Sequence, residues 1–267
     1  MNAAPNKFEA PDGAVPIRLR HAEILRRPGL PATLPAALGR IAVLRAYLLH
    51  HAIEWVSRRI VQGANDRGEL EFKVVRERRD WTAVCALRRE VYATTIPYML
   101  SVLDPTGADE YDHRSVVFGV WLRGRPVATV RYTQWPFEVT RYVPTTTLAG
   151  SIPLEACDKT LEFSRLLVAS DAGVNRLMPA LITYSGLMIL FNTSFRRYVG
   201  YAKMSVVRKL NSFHCETGPQ AFRIPERGDH QYELVIGEFL NDARHFIKRT
   251  FRFAPVVTAL TCLLPRS

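Results

Sequence analysis

The sequence predicts an α/β domain built around one mixed sheet, and three observations carry that reading. Strand-like and helix-like periods alternate from residue 71 to about residue 252. Two apolar runs flank Arg123-Gly124-Arg125 as the arms of a hairpin flank a turn. The composition, 48% hydrophobic and 23% charged over 267 residues, suits one well-buried core with extensions and argues against disorder.

Taken in order, residues 1–33 are rich in Pro, Ala and Arg without a sustained period and read as a poorly ordered arm. Residues 34–68 hold an amphipathic, basic helix and a linker, with Leu38, Ile41, Leu44, Leu48, Ile53 and Val56 read as one apolar stripe. The main domain, 69–240, opens with a strand at 71–76 and a helix from Asp80, a candidate N-cap, to Thr95 before Pro97. Strands follow at 115–122, 126–133 and 160–168, then a helix over Leu177–Phe195. A strand at 197–202, a helix at 205–212 and strands at 221–225 and 231–237 close the domain. Residues 241–267 form a basic helix and an apolar tail, FAPVVTALTCLL. The order is β, α, loop, β, β, β, α, β, α, β, β.

Charge and cysteine usage narrow the function. Thirty-six basic against 25 acidic residues leave +11, a field that favours anionic partners. No helix-turn-helix, zinc or RNP motif accompanies it, so nucleic acid is not the expected partner. Cys85, Cys157, Cys215 and Cys262 lie far apart without a CxxC pair, which points to a reduced, cytoplasmic protein with no metal centre. No run approaches the roughly 18 apolar residues of a spanning helix, while the basic helix and the apolar tail allow contact with the inner membrane surface.

Three arginines stand at positions the patterns turn inward. Arg88 interrupts the stripe of Val84, Leu87, Val91 and Tyr92; Arg131 shares a strand face with Val127, Thr129 and Thr133; Arg165 lies inside an otherwise apolar strand beside Glu162. A buried guanidinium needs a carboxylate, and Asp109, Glu110, Asp112 and Glu162 supply candidates for an ion-pair network lining a cleft. A regular strand sends Glu162 and Ser164 to one face and Arg165 to the other, so a shared cleft requires a bulge or splayed strand end near 162–166.

The element order resembles the GNAT acyltransferase fold, a three-layer αβα sandwich whose splayed central mixed sheet admits a pantetheine arm between its fourth and fifth strands. The stretches ALRREVYATTIPYML, DEYD, VATVRYT and LEFSRLLV are similar to the acyl-homoserine-lactone synthase (LuxI-type) pattern over about 80 residues. Arg88, Tyr92 and Tyr98 match its helix arginine and two aromatics, Asp109 and Asp112 its paired aspartates, Arg131 its strand arginine, and Glu162, Ser164 and Arg165 its E-x-S-R motif. Tyrosine stands where those synthases use Phe and Trp, and YTQW follows the strand arginine. These departures and the long N-terminal region are similar to the related N-acyl amino acid synthases.

The resemblance implies an N-acyltransferase that takes a fatty acyl group from the phosphopantetheine of acyl carrier protein, with no bound cofactor, and passes it to a small amine, an amino acid. S-adenosylmethionine as acceptor, or a non-catalytic module that reads acyl carrier protein or lipid, are the alternatives. GNAT enzymes that use coenzyme A bind its pyrophosphate on a glycine-rich loop at a helix start. Here that stretch reads DAGVNRLMPAL, with Asn175 and Arg176 placed to meet substrate and Pro179 where glycine is wanted. Arg196, Arg197, Lys203, Arg208 and Lys209 are read as a docking face for the acidic carrier protein. Glu162 is the candidate general base, and Arg88, Arg131 and Arg165 hold the carboxylates around it.

Overall fold

A computed structural model describes residues 36–61, 69–143, 148–152, 154–210, 215–218 and 221–251. The arm, the linker at 62–68 and the apolar tail lie outside these residues. Helix α1 (Ala36–Ile60) precedes strand β1 (Leu70–Val74) and helix α2 (Arg78–Thr95). Strands β2 (Ser115–Leu122), β3 (Arg125–Thr133) and β4 (Thr160–Val168) follow, then helix α3 (Leu177–Asn192), strand β5 (Arg197–Lys203) and helix α4 (Met204–Leu210). Short strands β6 (Glu216–Thr217) and β7 (Phe222–Arg223), strand β8 (Gln231–Glu238) and helix α5 (Phe239–Thr250) complete the chain.

Eight strands form one mixed sheet in the order β1-β2-β3-β4-β5-β8-β6, with β7 also on β8. Every pairing is antiparallel except that of β4 with β5. This is the expected three-layer arrangement: α1, α3 and α5 pack together on one face, and α2 with the segments between strands covers the other. Helix α3 is buried nearly all round, because it lies between the sheet and two other helices rather than on the surface. Among the described residues no helix is long and apolar enough to cross a membrane.

Two local expectations change. Glu77, not Asp80, is the N-cap of α2; Asp80 lies in the first turn, where its charge suits the helix dipole. In α1 the four of those apolar residues whose side chains are described do not share a face. Ile53, Val56 and Ile60 are buried, whereas Leu44 and Leu48 are 56% and 57% exposed, with Tyr47 and Trp55 beside them. The nine residues from Leu44 to Ile53 make about two and a half turns at 3.6 residues per turn, which sets the two on opposite sides.

The feature that shapes the site is the parting of β4 and β5. They pair only over Thr160–Arg197, Leu161–Tyr198 and Glu162–Val199. Beyond this, Gly200 lets Phe163 come close, since a Cβ at Gly200 would stand 2.7 Å from the Phe163 carbonyl oxygen and 2.9 Å from its ring. A Cβ at Gly237, opposite Tyr198 on β8, would fall 2.2 Å from the Tyr198 hydroxyl. Gly237→Ala therefore displaces the Tyr198 ring from its place between β8 and α5. The expected cost is about 1–3 kcal/mol, read as a lower urea midpoint with unchanged slope.

Candidate active site

The site is assembled on the α2 face of the sheet. The apolar side of α2 buries Val84, Leu87, Val91 and Tyr92 and carries Arg88 inward with them. Arg88 donates from Nη1 to Asp112 Oδ2 at 2.7 Å, and its guanidinium lies 5.3 Å from the Trp81 ring centroid. Asp109 and Asp112 are locked by backbone: Asp112 Oδ2 accepts the Asp109 N–H at 2.8 Å and Asp109 Oδ1 the Tyr111 N–H at 2.9 Å. These bonds orient both carboxylates before any guanidinium reaches them.

Arg131, fully buried on β3, donates from Nη1 to Asp109 and from Nη2 to Glu138 Oε2 at 2.8 Å; its Nε meets Ser164 Oγ at 3.0 Å across the strand pair. The ladder explains how Arg165 joins. Arg131 pairs with Ser164 and Thr129 with Leu167, so the β4 strand carries Arg165 and Leu166 opposite the single residue Val130. Arg165 takes φ 51, a left-handed conformation rarely adopted by residues with a Cβ. The bulge turns its side chain to the face of Glu162 and Ser164, where Nε reaches Asp109 Oδ2 at 2.8 Å and Nη2 reaches Glu138 Oε1 at 3.1 Å.

Glu138 is the acceptor that sequence patterns did not reveal. It opens a 3-10 turn (Glu138–Arg141), is 2% exposed, and meets Arg131, Arg165 and a fourth arginine, Arg227, whose Nη2 lies 3.2 Å from Oε1. Arg227 also donates to the Tyr201 and Tyr142 hydroxyls at 2.7 and 2.9 Å. The only local sign was a carboxylate between Phe137 and Val139, both buried. For Arg227, in IPERG, there was none.

Glu162 is fully buried on this face, but its oxygens meet backbone, not guanidinium: Oε2 accepts the Glu138 N–H and Oε1 the Val139 N–H at 3.0 Å. It thereby fixes the turn that presents Glu138. Glu110, expected in the cluster, is exposed and pairs with Arg141 instead. The three carboxyls differ electrostatically. Burial raises Asp109, but Arg165 and Arg131 outweigh it and hold the group down at about 2. Glu138 is likewise held below its usual range, since the same two arginines overcome burial. Glu162 is pushed up to about 8 by burial and then by the Glu138 charge, against Arg131 and the two backbone donors.

The remaining predicted residues separate. Tyr92 is buried beside the arginines, with Arg165, Arg88 and Arg131 all acting on its hydroxyl. Tyr98 stands in another group, its hydroxyl 3.1 Å from that of Tyr232 and Lys203 Nζ 5.0 Å from its ring centroid. Asn175 is exposed, and Arg176 is the N-cap of α3 with φ 62. Of the five cations read as a docking face, Arg196, Arg197 and Lys203 have described side chains. Arg196 binds the backbone carbonyls of Thr193 and Phe195, and Arg197 pairs with Glu238 at the start of β5. Lys203 ends that strand, about 20 Å away at roughly 3.3 Å per residue. The side chains of Arg208 and Lys209 lie outside the described part.

Behind the parted strands, on the α3–α5 face, is a mostly apolar cavity of about 430 Å³ with its mouth included. Tyr132, Phe163, Leu187, Tyr198 and Phe239 are among its walls. Its free space, about 20 Å³, has room for one water-sized group. The parted strands thus have buried charge on one side and apolar walls on the other.

Asp109 sets an acid limit on the fold. Its native value lies below the ordinary 3.8, so its contribution is complete above that pH and is lost as pH falls toward 2. Urea unfolding at stepped pH should show Asp109→Asn less stable at neutral pH by about 3–5 kcal/mol, because two arginines lose their charge partner. Between pH 4 and 2 the variant should change less than the wild type; parallel curves would remove Asp109 from the linkage.

No family model matches the chain, and no curated protein matches it by sequence. Solved structures do. The acyl-homoserine-lactone (AHL) synthase LasI aligns with 13% identity over 64% of this chain and 90% of its own, with a TM-score of 0.53. BjaI, a CoA-dependent acyl-homoserine lactone synthase solved with SAM and isopentyl-CoA, aligns with 13% identity over 68% and 92%, TM-score 0.50. FeeM, an N-acyl amino acid synthase from uncultured soil microbes, gives 9% identity over 68% and 94%, also at 0.50. At these identities the likeness is one of fold: the chain has the GNAT-like acyltransferase fold that these enzymes share.

Proposed function

We propose that this chain is an N-acyltransferase that moves a fatty acyl group from acyl carrier protein to the amino group of an amino acid. The observation that carries the reading is the parting of β4 and β5 beyond Glu162–Val199, with the ion-pair network on one side and the apolar cavity on the other. A phosphopantetheine arm entering the gap brings its thioester carbonyl beside Glu162 and sends its acyl chain toward the cavity. The free space holds about one water-sized group, so the chain enters only as the half-buried Phe163 and Cys215 of the cavity wall move outward.

The chemistry needs one proton acceptor. The neutral amine attacks the thioester carbonyl, the C–N bond forms and the C–S bond breaks. Glu162 takes the amine proton and returns a proton to the departing thiolate. A carboxylate has about four acceptor positions, of which two are used by Glu138 and Val139 N–H groups, and a value near 8 suits a base at neutral pH. Asp109 and Glu138, held down by arginines, are too weak as bases for this step. Four guanidiniums against Asp109, Asp112 and Glu138 leave one positive charge, which Glu162 balances in the carboxylate form that takes the proton. FeeM is an N-acyl amino acid synthase and LasI and BjaI are acyl-homoserine-lactone synthases, so the shared fold is compatible with either acceptor.

The donor and acceptor are tested together. Acyl carrier protein and coenzyme A thioesters of one chain length are offered with a panel of amino acids or with S-adenosylmethionine, and products are identified by mass spectrometry. The expected product is an N-acyl amino acid, formed faster from the carrier protein at low salt than at high salt. A homoserine lactone, or equal salt-insensitive rates from both donors, would overturn the assignment; tight carrier-protein binding without any product would make the chain a binding module.

Glu162→Gln is expected to lower acylation by about two to four orders of magnitude. It also costs about 1–3 kcal/mol of stability, since the amide nitrogen faces a backbone N–H that the carboxylate had accepted. Loss of stability alone would therefore not identify the base. The deciding measurement is the pH dependence of kcat, which rises toward pH 8 in the wild type and should be flat over that range in the variant. An unchanged profile would assign the proton to another group.

A further inference from the structure

The cavity behind the parted strands is mostly apolar; of its polar side chains, Tyr132 is bonded to Ser185, Cys215 to the Leu210 carbonyl and Tyr198 to Asp242, which leaves Asp242 and Thr183. Asp242 projects from α5 and is 4% exposed; its Oδ2 accepts the Tyr198 hydroxyl proton at 2.6 Å. Its Oδ1 has no partner among the described residues, and neither has Thr183 Oγ1, although both atoms are buried. Among the described residues no cation pairs with Asp242, in contrast to the carboxylates of the ion-pair network. Burial pushes its carboxyl up to about 7. Leaving two polar atoms unmatched in an apolar wall is costly, and a leucine and a valine would have filled the same places without that cost. Asp242, Thr183 and Tyr198 are thus built to meet a polar group.

We propose that the acyl chain taken by this cavity carries a hydroxyl group, held between Asp242 and Thr183. The inference rests on the acyltransferase reading for what enters the cavity, but the recognition it describes does not need turnover. A hydroxyl both donates and accepts, so it can satisfy Asp242 Oδ1 and Thr183 Oγ1 whichever of them carries the proton. The free space of the cavity suits a group of one oxygen. A methyl end leaves both atoms unmatched, and a second carboxylate adds a buried negative charge beside Asp242. Asp242 stands on α5 in the helical layer, reached from β5 only through the length of the Tyr198 side chain. The hydroxyl therefore belongs to the interior or far end of the acyl chain, away from the thioester carbonyl at the strand gap.

The test is calorimetric binding of saturated fatty acids of one length, unsubstituted or with one hydroxyl at successive positions, to the full chain. One hydroxylated isomer is expected to bind at least about tenfold more tightly than the unsubstituted acid. Asp242→Leu should reverse that order, and Thr183→Val, close to isosteric, should reduce the preference to within about threefold; it keeps the test decisive if the Asp242 variant fails to fold. Equal binding of all acids, or a preference that survives in Thr183→Val and in a folded Asp242→Leu, would overturn the proposal and leave the two atoms to a buried water. Selective binding without any acyl transfer would instead refute the enzyme and spare this site. Acyl transfer without selectivity would do the reverse.

Discussion

Four guanidinium groups held out of water impose the constraint from which the site follows. Each removed charge costs several kcal/mol unless it is paired and its other donors are met. Glu138 meets that requirement for three of them at once, with Arg131, Arg165 and Arg227 converging on its carboxylate. Asp109 and Asp112 serve Arg131, Arg165 and Arg88 from the other side. The elements that supply these groups, α2, β3, β4 and the turns at 109–114, 138–141 and 225–227, are thereby tied together by charge as well as by apolar packing.

That network demands a local distortion of the sheet. Arg165 reaches Asp109 and Glu138 only because the bulge and its left-handed backbone turn it to the face of Glu162 and Ser164. Strain of this kind, about 1–3 kcal/mol, persists when the surroundings over-determine it, as three ion-pair contacts do here. The bulge falls just past the last residue pair between β4 and β5, so the irregularity that gathers the charges lies at the opening of the sheet. Glu162 connects the two effects. Its carboxyl holds the turn that presents Glu138, and Glu138 in turn raises the affinity of Glu162 for a proton.

The opposite face obeys a different rule. There α1, α3 and α5 bury apolar surface, and the exceptions are conspicuous because the low dielectric penalises them: a carboxyl with no cation and a hydroxyl with no partner line one cavity. The parted strands separate the two environments.

By itself the sequence determined the order of elements apart from the short strand β6, the inward arginines at 88, 131 and 165, the acidic cluster at 109–112, and the need for a bulge near residues 162–166. The arginines and the bulge follow from period: a charge at an apolar position of a helix or strand is visible without coordinates, and so is the parity conflict between Ser164 and Arg165. Only the tertiary structure decided the rest. Glu138 and Arg227 come from short turns that have no period to interrupt, and 89 residues separate them along the chain. Glu110 has the same local setting as Asp109 and Asp112, yet it faces outward, because side-chain direction within such a turn depends on backbone angles that composition does not specify. Asp242 looked like one more charge on a basic helix until α3 and β5 enclosed it. Leu44 and Leu48 show the converse, since helical spacing marks a stripe but cannot say which side of α1 the core will cover. Burial is settled by what packs against a residue, and distant segments supply that contact.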